Sequence, residues 1–122
     1  MSHNWGPHFI VPTGTSAKYS GPIRLRETLD KELLARELTE LGLPHKVARI
    51  TNPWYYRRHG AETWLKIAES DDEKQNFAVT WDTAKLQNGQ YEILGLMHVF
   101  VTAGSREEAI ARQAVTPVTV EN

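Results

Sequence analysis

The sequence predicts a mainly β fold, an antiparallel set of about six strands carrying one N-terminal amphipathic helix. Three observations lead there. From Lys46 onward, apolar and polar residues alternate in short runs separated by turn residues, the period of two that a half-buried strand imposes. A single segment, 28–41, has the helical period instead, with Leu29, Leu33, Leu34, Leu38 and Leu41 forming one stripe. No strand–helix–strand alternation follows it, so a parallel sheet has no crossovers to build on.

Composition bounds the function. The 122 residues suffice for one ordinary domain, and 40% hydrophobic with 24% charged residues is globular rather than disordered composition. Fourteen basic residues against 15 acidic ones give a net charge of −1, which argues against a nucleic-acid binder that must track phosphates. Without cysteine there is no disulfide, thiolate nucleophile, Cys-ligated zinc or iron–sulfur site. No secretory leader and no membrane span of roughly 20 apolar residues is expected. The expected location is cytoplasmic, or extracellular if a leader has been removed.

Residues 1–22 read as an extended N-terminal arm punctuated by Pro12, Gly14, Gly21 and Pro22, with a short strand at 8–11. Trp5, Phe9 and Tyr19 imply that part of the arm packs down. Residues 23–122 then form a single β-rich domain that includes the helix. For that helix, Thr28 is the expected N-cap, Asp30 and Glu32 place acid near the positive end of the dipole, and Glu32 stands four before Arg36. Gly42 suits the left-handed position after the last turn, and Pro44 stops continuation. The leucine stripe needs a surface, either the protein's own sheet or another chain.

The strands follow in order. Lys46–Tyr56 is a long candidate interrupted at Asn52-Pro53, which a bulge, an edge position or a division into two strands would accommodate. Arg58–Ala61 is a turn, Thr63–Glu69 a strand, and Ser70–Asn76 an acidic connection. Phe77, Val79 and Trp81 alternate with Ala78 and Thr80. Asn88-Gly89 favours a tight hairpin or turn. Tyr91–Thr102 is apolar on both sides, as a central strand or one covered by both core and helix would be. Gly104–Glu108 is a polar connection, to which Arg106–Arg112 could add a short helical turn, and Ala114–Glu121 closes the chain.

Within this run, Tyr55-Tyr56-Arg57-Arg58 with Gly60, Trp64 and Ile67 resembles a strand, turn and strand that seat a tryptophan between sheets. Val79-Thr80-Trp81-Asp82-Thr83 followed by Leu86-Gln87-Asn88-Gly89-Gln90-Tyr91 resembles the run into a penultimate strand, and Val118–Asn122 a closing strand. Residues 46–122 thus resemble bacterial immunoglobulin-like or fibronectin type III-like domains. The resemblance implies an antiparallel β-sandwich, with an α+β meander carrying a helix packed on the sheet as the alternative. The leucine helix stands where that family has its first strands. Such domains serve as spacers, adhesion modules or accessory domains, roles that rest on fold analogy alone.

Candidate chemistry is sparse. His3, His8, His45, His59 and His98 are scattered without a ligand spacing, and Asp71-Asp72-Glu73 lacks the glycines of a calcium loop, so no metal site or cofactor is expected. His59 with Glu62, or His98 with Glu92, lacks any companion nucleophile motif or phosphate loop, and the chain does not read as an enzyme. The densest functional group is Trp54, Tyr55, Tyr56, Arg57 and Arg58, a composition suited to protein interfaces and, secondarily, to stacking on a glycan. The expected function is a noncatalytic protein–protein interaction or structural accessory module, binding a protein partner or its own copies through this cluster or through a sheet edge at 46–56 or 114–121. The alternative is a carbohydrate-binding module built on Trp54–Tyr56.

Overall fold

The computed structural model describes the backbone of residues 8–10 and the whole of residues 18–122. Strands β1 (His8–Ile10), β2 (Lys18–Tyr19) and β3 (Pro22–Thr28) precede the helix α1 (Lys31–Glu40). After it come β4 (Val47–Arg58), β5 (Leu65–Ser70), a 3-10 turn at Glu73–Gln75, β6 (Val79–Asp82), β7 (Gly89–Ala103) and β8 (Arg106–Val120). Trp5, His3 and the Pro12 and Gly14 punctuation of the arm lie outside the described residues, as does the Phe9 side chain.

The fold is organised on β7 and β8, each 15 residues long and paired without a register break from Gly89↔Val120 to Ala103↔Arg106. Gly104-Ser105 closes this hairpin, with Gly104 at φ +66° in the left-handed first position that a type II′ turn requires. β4 lies antiparallel on the other side of β7, β5 flanks β4, and β2 runs parallel to the last residues of β8. The resulting order, β2-β8-β7-β4-β5, is one sheet that curls as half a barrel. β1, β3 and β6 make a small separate antiparallel sheet.

The concave face of the curled sheet is covered in two halves. Over one half, Ile23 and Leu25 of β3 and Val79 and Trp81 of β6 pack on Trp54, Tyr91, Ile93, Val118 and Val120. Over the other, Leu34 and Leu38 of α1, with Phe77, meet Met97, Val99 and Val101. Strand β7 underlies both, which explains its unbroken buried row Tyr91, Ile93, Gly95, Met97, Val99 and Val101. Each fully buried leucine of the helix contributes about 1.5–3 kcal/mol by leaving water.

The immunoglobulin-like or fibronectin-like sandwich is therefore overturned, and so is the simple meander. β6 precedes β7 in sequence, yet it pairs with β3, and β4 takes the place beside β7. Alternation fixes which face of a strand is buried and is silent about its neighbour, so Val79–Tyr91 serves this topology as well as a sandwich.

Local differences have similar causes. The helix begins at Lys31 because Asp30, not Thr28, is its N-cap, accepting from the Leu33 N–H at 3.1 Å, while Thr28 completes β3. Its end is as the sequence implies. Leu43 N–H donates to Leu38 O at 2.8 Å and Gly42 N–H to Thr39 O at 3.1 Å, a Schellman closure with Gly42 at φ +71°. Leu41 is outside the buried stripe and exposed. The polar connection expected over Gly104–Glu108 is shorter, Gly104-Ser105, and Arg106–Arg112, where a helical turn was open, is the start of β8. Asn88-Gly89 makes no hairpin, since β6 and β7 are in different sheets; the Asn88 side chain accepts from Asn122 N–H at 2.8 Å and pins the chain end. Asn52-Pro53 sits within a central strand whose β5 partners include both residues while the β7 ladder passes from Thr51 to Trp54. The bulge is on β5, where Ile67 has no opposite number.

Candidate interaction surface

Strand alternation divides the aromatic–arginine cluster between two faces. Trp54 and Tyr56 point to the concave side. Trp54 is fully buried and donates its indole N–H to Phe77 O at 3.0 Å. Tyr56 is half-buried, its ring 5.3 Å from Trp81 and 6.3 Å from Tyr91. Arg58 reaches the rim, where its guanidinium donates to Gln87 Oε1 at 3.2 Å and Asn88 O at 3.3 Å. On the convex side, Arg57 pairs with Glu92 at 2.9 Å and lies 4.1 Å over the Trp64 ring. Tyr55 stands beside it, opposite Leu94. The five residues thus form no single patch: Tyr55 and Arg57 share the outer face, Arg58 is at the rim, and Trp54 belongs to the core.

The outer face continues along β7 and β8. Leu96, His98 and Phe100 are half-buried there, Val115 is exposed, and His98 stacks on Phe100 with ring centroids 6.1 Å apart. Arg49 covers Phe100 at 4.0 Å and pairs with Glu107 at 2.9 Å. The half-buried rings of Trp64 and Phe100 thus each carry a guanidinium, and the surface mixes apolar area with paired charges.

Beside this face runs a long edge. β2 pairs only with Thr119 and Val120, so among the described residues β8 has no hydrogen-bonded strand partner from Arg106 to Val118 on the side away from β7, although β1 approaches β8. Side chains alternate along it. Glu108, Ile110, Arg112, Ala114 and Thr116 share the inner face with Val118, whereas Glu107, Ala109, Ala111, Gln113 and Val115 share the outer one. Arg112 reaches Glu37 of the helix at 2.7 Å, and Glu108 meets Arg106 at 3.3 Å.

Two further features lie inside. Glu27 on β3 is fully buried, and its carboxyl oxygens, with Asn52 Oδ1, have no hydrogen-bond partner among the described residues. Burial raises the Glu27 carboxyl to about 9, and the nearby Asn52 amide pulls weakly the other way. The acid is therefore neutral at pH 7, which makes its burial tolerable. A groove of about 300 Å³ opens between α1 and β4, with Leu29, Leu34, Leu38 and Ile50 as its apolar lining. Lys31 and Glu73 pair across its mouth at 2.8 Å, and His45 Nε2 lies 2.9 Å from Thr39 Oγ1.

Sequence reasoning missed the buried acid and most of the edge. The signal for the acid was present: Ile23, Leu25 and Glu27 keep the period of two, which puts the glutamate on the buried side. Among the described residues, no group of three or more His, Asp and Glu side chains is placed to hold a metal ion, and no helix is long and apolar enough to cross a membrane. Comparison with protein-family models, curated proteins and solved structures finds no match to this chain.

Proposed function

We propose that this chain is a noncatalytic interaction module that engages protein by strand addition along the outer edge of β8, displacing β1 from beside it. The observation that carries this reading is the edge from Arg106 to Val118, unpaired among the described residues in a strand 15 residues long. In an antiparallel ladder every second residue of an edge strand turns its N–H and C=O outward, so this length offers a repeated set of backbone donors and acceptors.

Edges that must stay single are guarded by charge, proline or bulges. Here the guards stand at the ends: Arg106, Glu107 and Glu108 at one, Pro117 at the other. Between them Ala109–Thr116 has one charged side chain, Arg112, and that is committed to Glu37. The register with β7 runs through this stretch without a bulge. The adjoining outer face, with Val115, Phe100 and the Tyr55–Arg57 half of the cluster, supplies flanking area of interface composition.

The test is backbone amide exchange with a peptide of the sequence 106–117 as the added strand. The expected result is slowed exchange at alternate amides of Ala109–Thr116, with β5 unchanged, and loss of that protection in Ala111→Pro. Unaltered exchange at saturating peptide would overturn the proposal.

A further inference from the structure

We infer that Asn88-Gly89 is a self-modification site, where Asn88 loses its side-chain amide by cyclisation, promoted by Arg58 and restrained by Asn122. The chemistry needs an asparagine whose following backbone nitrogen can reach its own side chain. Gly89 N attacks Asn88 Cγ, a C–N bond forms, and Nδ2 departs as ammonia with the proton from Gly89 N. Water then opens the cyclic imide. Its attack at Cγ leaves aspartate, and its attack at the main-chain carbonyl carbon leaves isoaspartate, with no redox change in either.

Of Asn4, Asn52, Asn76 and Asn88, one meets the requirement. Asn52 precedes Pro53, which has no N–H, and Asn4 precedes the bulky Trp5. Phe77, after Asn76, is buried, and its N–H donates to Asp72 O at 3.0 Å. Asn88 is exposed and is followed by glycine, whose missing Cβ lets the nitrogen approach. The fold itself imposes that glycine. Its φ of +148° disfavours other residues, and a Cβ there would lie 2.9 Å from Arg58 Nη2.

The guanidinium is placed to help. Arg58 Nη2 donates to Asn88 O at 3.3 Å, the carbonyl of the peptide group whose nitrogen must attack. Drawing charge from that carbonyl makes the Gly89 N–H more acidic, and the cation stabilises the negative charge that develops. Asn122 acts against the reaction. Its N–H donates to Asn88 Oδ1 at 2.8 Å, while its side-chain amide donates to Thr83 O at 2.8 Å and Leu86 O at 2.9 Å. Gln90 O accepts from His59 N–H on the β4 side, so Gly89 turns its N–H towards Val120 of β8. Attack therefore requires the Asn122 clamp and the first rung of the β7–β8 ladder to open together. The product alters the same corner: it adds a negative charge beside Arg58, and isoaspartate inserts a methylene into the main chain directly ahead of β7.

The test is incubation of the whole chain at mildly alkaline pH, read by intact mass and by peptide mapping with isoaspartyl labelling. The folded protein is expected to gain about one dalton at Asn88, and to do so more slowly than in urea. Asn88→Gln should hold its starting mass. Asn122→Ala should speed the folded-state reaction about fivefold or more, because two hydrogen bonds that keep the clamp shut are lost. Arg58→Gln added to that variant should slow the reaction, and Arg58→Lys should retain most of the rate. A merely loosened fold would react faster, so the sign of the Arg58→Gln effect identifies its role. A mass gain that maps elsewhere overturns the site. A folded reaction as fast as that in urea, or unchanged in Asn122→Ala, overturns the restraint, and an undiminished rate in Arg58→Gln overturns the promotion.

Discussion

Trp54 donates its indole N–H to the carbonyl of Phe77 across 3.0 Å, and both residues are buried. Trp54 belongs to the core beneath the small sheet, whereas Phe77 belongs to the core beneath the helix. The bond therefore joins the two halves of the interior. It also holds a costly stretch of backbone, since Asn76 and Phe77 have φ of 55° and 54°, a region that non-glycine residues seldom occupy.

Trp54→Phe keeps a large ring but removes the donor, leaving a buried carbonyl unpaired and a void where the second ring was. The expected cost is about 2–4 kcal/mol in urea or guanidinium unfolding. A loss below about 0.5 kcal/mol would mean that Phe77 O finds another donor readily.

The buried acid sets a pH dependence with a definite sign. Glu27 binds its proton more tightly folded, with a value near 9, than unfolded, near the ordinary 4.5. Below the unfolded value both states are protonated and the full stability is present. As pH rises from there towards the folded value, the unfolded chain gains by ionising and stability falls, by up to ~1.4 kcal/mol per pH unit. Glu27→Gln should remove this slope and raise the melting temperature at pH 8 relative to the parent. Parallel curves for the two proteins between pH 5 and pH 9 would contradict the assignment.

The helix start gives a paired comparison. Asp30→Ala removes the cap and should cost about 1 kcal/mol, whereas Thr28→Ala, outside the cap position, should cost no more than about 0.5 kcal/mol. Circular dichroism with chemical unfolding distinguishes them, and equal effects would place the cap elsewhere.

Arg57 and Glu92 form a partly buried pair, with side-chain exposures of 26% and 20%. Lys66 and Glu69 form a pair with exposures of 49% and 52%. A double-mutant cycle should give a coupling of about 1 kcal/mol for the first and near zero for the second. The Arg57 guanidinium also loses its place over Trp64 when truncated, so single-variant costs overstate the pair.

The legible part of this fold was that set by period and punctuation. Leu34 and Leu38, Gly42, and the buried rows of β7 and β6 all follow from side-chain spacing or from a turn that needs a left-handed residue. Strand partnership was illegible, because Trp81 packs equally well in either topology and the pairing of β3 with β6 spans the whole helix and β4. The same limit governed the surface. Alternation alone separates Trp54 and Tyr56 from Tyr55 and Arg57, but which of the two sides is core follows only from what packs beneath Trp54. The β8 edge was obscured at Arg106–Arg112, where clustered charge imitates a polar loop or a helical turn.

The central hairpin has a consequence for synthesis. Of the described strands, β7, beside which β4 must lie, and β8, which flanks it, are the last to leave the ribosome. Until Gly89–Val120 emerges, Trp54, Trp81 and the helix leucines have no floor to pack against. The nascent chain therefore waits nearly to its described end before its interior can close, with its apolar side chains in reach of chaperones meanwhile. Once out, the hairpin needs only the two-residue loop Gly104-Ser105 to zip, so a late start is followed by rapid local pairing.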